Sequence, residues 1–349
     1  MPVDLSVLQG NYFCDLMSQP KALEDTLDQF AESKELRSLS ARLDRGKFNN
    51  IVLTGMGSSY YGLNPLLLQL TDVGFPALLV ETSELNYYRP GLLASRNLVI
   101  AVSQSGQSAE ILRLLDLLRG RAPLIAVTNT SASPLARRSD ALILTKAGEE
   151  YSVSCKTYVS ALFALKFLGD QLCRLPFART RKGLKTALPP VTQYLAGWKE
   201  HVESLLPVLE GIRLIFLVGR GSSLAAVGTG ALILKESTQF PAEGLSSAAF
   251  RHGPFEMVGP ETFILVFSGP SKTRHLNHRL LDDIRKQNGR TELVAMGNCT
   301  SPFVVPNLPP SLLPILEILP VEMLTLAQAA RAGHEPGRFR FATKITTTE

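Results

Sequence analysis

The sequence predicts an α/β chain in which a parallel sheet, covered by helices on both faces, is built twice. Three observations carry this expectation. Short apolar runs alternate with helical stretches through most of the chain. The runs are continuous rather than alternating, the mark of strands buried on both faces. A glycine-serine turn also recurs: Gly219, Gly221, Ser222 and Ser223 each lie about 164 positions after Gly55, Gly57, Ser58 and Ser59.

The elements follow in order. Residues up to about 45 read as helical, with Leu23, Leu27, Phe30 and Ala31 at helical spacing behind Pro20. Ile51-Val52-Leu53 is the first strand, ending in Gly55-Met56-Gly57-Ser58-Ser59. A leucine-rich helix over Leu63 to Leu70 tolerates Pro65 because it falls in the first turn. Ala77 to Val80 and Leu98 to Val102 are strands, and the second of these enters Ser103-Gln104-Ser105-Gly106. A helix through Ile111, Leu112, Leu114, Leu115 and Leu118 leads to strands at Leu124 to Val127 and Ala141 to Leu144. The second copy shows strands at Leu217-Val218, Phe263 to Val266 and Leu293 to Ala295, where Leu293-Val294-Ala295-Met296-Gly297-Asn298 echoes Leu124 to Asn129. The basic, proline-containing stretch Arg174 to Pro190 and a helical segment around Trp198 read as the linker.

The expected organisation is therefore a helical segment over 1–45, a first domain over 46–175, a helical linker over 176–205 and a second domain over 206–349. The 349 residues suffice for two domains, with 45% hydrophobic and 19% charged residues, as expected of a globular protein with a sizeable core. The net charge of +5 suits an anionic metabolite. The basic cluster Arg174, Arg179, Arg181, Lys182 and Lys185 reads as a solvated linker face, so no nucleic-acid partner is expected. The four cysteines form no CxxC pair, and no Cys/His cluster has zinc-ligand spacing. No disulfide framework, metal or cofactor is expected, and the compartment reads as reducing. No apolar run of about 18 residues escapes Pro, Gly or charge, and the N-terminus lacks a signal pattern, so a soluble cytoplasmic protein is expected.

Chemistry concentrates at a few places. A strand that delivers Ser-x-Ser-Gly to a helix N-terminus presents unpaired N–H groups and a partial positive charge, which favour a phosphate. Ser103, Ser105 and Ser108 add hydroxyl donors, Gln104 an amide donor, and Gly106 permits close approach. Ser58 and Ser59, after the first strand, are placed to converge on the same phosphate. For any one of these serines helix capping is the plainer role; the constellation favours a ligand. The second copy replaces the turn with Phe267-Ser268-Gly269-Pro270, so it has diverged. It carries instead Glu236, an acid in an otherwise apolar helix, and His252 before a Gly-Pro turn, both candidates for moving a proton near neutral pH. Taken singly, Glu236 also fits a salt bridge to Lys235 or Arg251, and His252 a structural role. Lys344 in the polar tail is a surface lysine by default; beside a carbonyl it is a Schiff-base or enediolate-stabilising group.

These residues resemble the sugar isomerase (SIS) domain family. The resemblance rests on Gly57-Ser58-Ser59, Ser103-Gln104-Ser105-Gly106-Gln107-Ser108, Val127-Thr128-Asn129, Ala147-Gly148-Glu149-Glu150, Val218-Gly219-Arg220-Gly221, Leu234-Lys235-Glu236, Ala242-Glu243, Arg251-His252-Gly253-Pro254 and the Lys344 tail. It runs through nearly the whole chain in order, and is strongest to the double-SIS isomerase half of amino-sugar-phosphate synthases and to their standalone isomerase, deaminase and deglycase relatives. It implies two tandem flavodoxin-like three-layer α/β/α domains with central parallel sheets.

The resemblance also implies roles. Ser58, Ser59, Ser103, Gln104, Ser105 and Ser108 hold a sugar 6-phosphate or its amine derivative, with Gly57, Glu150 and Cys155 contacting substrate. Glu236 moves a proton between C1 and C2, His252 assists ring opening from a neighbouring subunit of a homodimer, and Lys344 approaches the carbonyl end. It does not extend to a glutamine amidotransferase domain, so glutamine-dependent amination is not expected. Where the synthases carry a further Glu and Lys on the catalytic helix, this chain has Thr229 and Ile233, which points to a different sugar derivative. In Val153-Ser154-Cys155-Lys156-Thr157, either Cys155 replaces a serine or a one-residue gap brings Lys156 to the family's lysine. Isomerisation, deamination and deglycation share the expected proton shuttle. The alternative is a non-catalytic sugar-phosphate sensor.

Overall fold

The structure, a computed structural model, describes residues 3–297, 301–341 and 343–348. Asn298 of the repeated motif and Cys299 of the cysteine count lie outside the described residues. Among the described residues, ten strands form two five-stranded sheets. The first holds β1 (Asn50–Gly55), β2 (Ala77–Glu81), β3 (Asn97–Val102), β4 (Leu124–Thr128) and β5 (Ala141–Leu144), in the order β2-β1-β3-β4-β5. The second holds β6 (Leu214–Gly219), β7 (Ala242–Ser246), β8 (Thr262–Phe267), β9 (Arg290–Met296) and β10 (Val304–Val305), in the order β10-β9-β8-β6-β7. Read from β7, this is the order of the first sheet, strand for strand. Pairing is parallel throughout, with Val52 opposite Val99 in the first sheet and Phe216 opposite Ile264 in the second. This is the flavodoxin-like order, whose switch point lies between the first and third strands.

Burial explains why the strands read as solid apolar runs. Every residue of β3, β4 and β8 is buried, because helices cover both faces, whereas the edge strands β2, β5 and β7 keep exposed positions. The helix Ala109–Leu118 packs Ile111, Leu114, Leu115 and Leu118 onto Val99, Ala101 and Ala126. That i, i+3, i+4, i+7 stripe is the helical period the sequence displays, and it leaves Leu112 exposed. In the second sheet Leu280, Leu281 and Ile284 of the helix Ser271–Lys286 close over Phe216, Ile264 and Val266.

The chain clusters into two compact units. One, around the first sheet, comprises Gln19–Glu150, Lys156–Leu188 and the tail from Phe341. The other, around the second sheet, comprises the residues up to Ser18, Tyr151–Cys155 and Pro189–Arg340. The helical segment expected over 1–45 is present as separate helices, including Asn11–Met17, Gln19–Gln29 and Lys34–Asp44, and it divides between the units at Ser18. The expected linker forms three short helices, Phe177–Lys185, Leu188–Ala196 and Trp198–Leu205, and divides at Leu188. The tail clusters with the first sheet, not with the second-domain segment that precedes it.

One apolar stretch shows what the prolines that punctuate such runs do. Pro310–Ala332 has the length and composition of a membrane span, but 94% of its most apolar window is buried inside the protein. Pro314 and Pro320 each fall in the first turn of a new helix, so the stretch is two helices, Leu313–Glu317 and Leu319–Ala332, after a short 3-10 turn. It packs against Leu224–Thr238 of its own unit as core.

Candidate active site

In the unit of the first sheet, two serine-bearing turns stand at the carboxyl ends of β1 and β3, the switch-point strands. The first is the short helix Gly57–Tyr61, which carries Ser58 and Ser59 half-buried at its start. The second runs from Ser103 to Ser108 and feeds Ala109–Leu118. Backbone bonds shape it: the Ser103 N–H donates to the Val127 carbonyl at 3.1 Å, and the Asn129 N–H donates to the Gln104 carbonyl at 3.1 Å. The Thr128 hydroxyl donates to that same carbonyl at 3.1 Å. The motif Val127-Thr128-Asn129 thus buttresses the turn from β4.

Within the turn, the Gly106 N–H donates to Ser103 Oγ at 3.1 Å and the Gln107 N–H to Ser105 Oγ at 3.4 Å. Gly106 has φ +63, and a Cβ there would lie 2.3 Å from Ser133 Oγ. Only glycine fits both the left-handed backbone and the close approach of the Ser133 loop. Ser108 is the N-cap of the following helix, yet its side chain makes no capping bond. The turn therefore combines a helix N-terminus with hydroxyls that are not consumed as caps, an arrangement suited to a tetrahedral oxyanion.

The tail crosses this helix start. The Ala109 N–H donates to the Thr346 carbonyl at 3.1 Å, and the Thr343 hydroxyl donates to the Ile345 carbonyl at 2.8 Å. Lys344 Nζ meets Glu150 Oε2 at 2.6 Å. The Glu150 side chain is wholly buried. It also accepts the Thr157 N–H at 3.0 Å on Oε1 and the Thr157 hydroxyl at 2.6 Å on Oε2. A buried carboxylate needs such a shell of donors, and here it fixes the Lys344 ammonium as a defined cation in the unit that carries the phosphate turn. Thr157 was not legible as a site residue, because nothing in its local sequence announces a bond to Glu150. Cys155 is fully buried and belongs to the segment that joins the second unit, while Lys156 opens the helix Lys156–Leu172 in the first.

Glu236 and His252 belong to the unit of the second sheet. Glu236 is half-buried in the last turn of Leu224–Thr238, whose N-terminal part is packed solid. Thr229, Ile233 and Glu236 fall at i, i+4 and i+7, so they share one helix face. Thr229 and Ile233 are fully buried on that face, and Thr229 Oγ1 has no hydrogen-bond partner among the described residues. Arg251 pairs with Asp283 at 2.7 Å. That guanidinium, helped by Lys286, holds the Asp283 carboxyl below its usual range. His252 is exposed at the C-cap of Ser247–Arg251, its N–H donating to the Ala249 carbonyl at 3.0 Å. The structure thus brings the serine turns, Glu150 and Lys344 into one unit, and Glu236 and His252 into the other. Among the described residues no group of three or more His, Cys, Asp or Glu side chains is placed to hold a metal ion.

A duplicated flavodoxin-like parallel sheet with serine-bearing turns at one switch point defines a doubly wound α/β protein. The SIS domain profile matches residues 47–169 and 209–302, and the chain belongs to that family. The isomerizing glutamine–fructose-6-phosphate aminotransferase of Pyrococcus horikoshii is 28% identical over 349 aligned residues, covering 96% of this chain and 57% of that protein. The chain thus spans little more than half the length of such relatives. The C-terminal domain of glucosamine-fructose-6-phosphate aminotransferase from Francisella tularensis superposes with a TM-score of 0.84 at 21% identity, covering 97% of this chain and 100% of that one. A glucosamine-6-phosphate deaminase from Thermotoga maritima gives a TM-score of 0.75 at 18% identity, with coverage of 97% and 100%. Both likenesses bear on the fold.

Proposed function

We propose that the protein is a phosphosugar enzyme that works at C1 and C2 of a sugar 6-phosphate derivative, of the isomerase, deaminase or deglycase type. The observation that carries this reading is the turn Ser103–Ser108 at the start of Ala109–Leu118, which gathers three serine hydroxyls and two glutamine amides in six residues, with the Lys344 cation in the same unit. Ser58, Ser59, Ser103, Gln104, Ser105 and Ser108 hold the phosphate. His252 passes a proton to the ring oxygen as the ring opens. Glu236 takes the proton from C2 and returns it at C1, or the reverse, through an enediol or enolamine. Lys344 stabilises negative charge developing on the carbonyl oxygen. The protein works in the cytoplasm as a homodimer in which His252 serves the partner's site.

Thr229 and Ile233 favour a substrate bulkier than a free amino sugar. They place a small hydroxyl and an apolar side chain on the Glu236 face, and neither adds a charge of its own there. Deglycation of a 6-phosphorylated Amadori compound fits this best. The assay is amine release from such a compound by the purified chain, with fructose 6-phosphate and glucosamine 6-phosphate as competing substrates. Turnover of glucosamine 6-phosphate alone would replace deglycation by deamination, and turnover of none of the three would favour the sensor reading.

A further inference from the structure

The second sheet has a cavity of its own, of about 310 Å³, outside the carboxyl ends of β8, β9 and β10. It lies against the loop Ser268–Pro270, the counterpart of the phosphate turn. Glu317, at the end of Leu313–Glu317, lines it and is 1% exposed. Ser223 donates to its Oε1 at 2.7 Å, whereas Oε2 has no hydrogen-bond partner among the described residues. Burial pushes the Glu317 carboxyl up to about 7, against the Ser223 bond, which acts the other way. At neutral pH the group is therefore poised to accept a hydrogen bond or to give one.

The same cavity is also lined by a guanidinium and an imidazole. Arg274 and His278 line it from one face of the helix Ser271–Lys286, four residues apart. His278 Nε2 lies 3.2 Å from Ser268 Oγ, which tethers the ring to the loop. The first turn of that helix holds no acidic residue, and its N-terminus has no side-chain cap. A guanidinium and an imidazole together recognise a phosphate. A buried carboxyl with an unused oxygen recognises a hydroxyl or an amine. The volume suits a molecule the size of a hexose phosphate.

We propose that this cavity is a second ligand site, which takes a phosphorylated sugar or amino sugar with the phosphate at Arg274 and His278 and a hydroxyl or amine at Glu317. The site is distinct from the serine turn and needs none of the residues assigned to catalysis, so it stands whether or not the chain turns substrate over. The duplication accounts for its place: the loop after β8 is the counterpart of the serine turn after β3, and it keeps one serine, Ser268.

The test is calorimetric titration of the full chain with glucosamine 6-phosphate and with inorganic phosphate, in the wild type and in three variants. The expected result is two binding events per chain with glucosamine 6-phosphate. Arg274→Ala, an exposed change that leaves the fold intact, weakens one event by about tenfold or more, the loss of a charge-assisted contact. Ser105→Ala weakens only the other. Glu317→Gln, of equal size, narrows the preference of the Arg274-dependent event for glucosamine 6-phosphate over inorganic phosphate, with cooperative melting as the check that it is folded. A single event sensitive only to Ser105→Ala overturns the proposal, as does a second event indifferent to both Arg274→Ala and Glu317→Gln.

Discussion

The loops that follow β3 and β8 occupy the same place in duplicated sheets, yet they have become chemical opposites. The β3 loop is all neutral donors: three serines, two glutamines and a helix start, with no ionisable group inside the turn. The β8 loop keeps one serine and leaves charge to the surrounding helices, through Arg274, His278 and the buried Glu317. Both retain a left-handed glycine, Gly106 at φ +63 and Gly269 at φ +68. The difference teaches that the fold conserves the geometry of the strand-to-helix turn while the side chains decide what binds there. It also sets the neutral serine turn apart from the ionisable candidates Glu236 and His252, which lie in the second unit.

Four measurements would break or sharpen that comparison. The largest effect is expected from Glu236→Gln, which should lower kcat by about 10²–10⁴-fold with sugar-phosphate affinity retained. Loss of binding instead would assign Glu236 to the phosphate rather than to the chemistry. Next comes Glu317. Its folded-state pKa of about 7 lies above the ordinary 4.5, so the folded form holds the proton more tightly than the unfolded form does. Stability should therefore fall as pH rises from about 4.5 to 7, by roughly 3 kcal/mol from this group. Denaturant titrations across that range should show a shallower slope in Glu317→Gln, and an unchanged slope would mean that water or a ligand stabilises the anion.

Third, the two glycines should differ. Gly106→Ala meets both the positive φ and a Cβ contact of 2.3 Å with Ser133 Oγ. It should cost about 2–3 kcal/mol of stability. Gly269→Ala meets the same backbone strain but only a 3.1 Å contact with Ser223 Oγ. It should cost about 1 kcal/mol. Equal losses in urea unfolding would show that the turns are equally forgiving. The smallest effect belongs to Ser105→Ala, which removes one neutral donor. It should weaken sugar-phosphate binding by about 1 kcal/mol, roughly fivefold in Kd by calorimetry.

Much of the architecture was written locally. β3, β4 and β8 read as strands because sheets covered on both faces demand unbroken apolar runs, and Ala109–Leu118 read as a helix because one stripe of it is buried. The duplication was legible because the glycine-serine turns recur at a fixed offset. The serine cradle was legible because its donors come from a few consecutive residues. By itself, then, the sequence determined the fold class, the repeat and the family to which the chain belongs.

What escaped it depends on residues far apart in the chain. Glu150 finds Lys344 across 194 positions, and Ser223 finds Glu317 across 94. No local pattern encodes such pairs. They form because a buried carboxyl must find donors wherever the packed chain brings them. The polar tail read as carrying a surface lysine by default, and only the packed structure showed its Thr346 carbonyl on Ala109 and its lysine on Glu150. Leu313–Glu317 and Leu319–Ala332 read as plain apolar sequence, and only burial against Leu224–Thr238 made them core and turned Glu317 inward. Periodicity and turn chemistry fix elements, because those forces act between near neighbours. Tertiary packing alone decides which charges are buried, because desolvation depends on everything that surrounds a group.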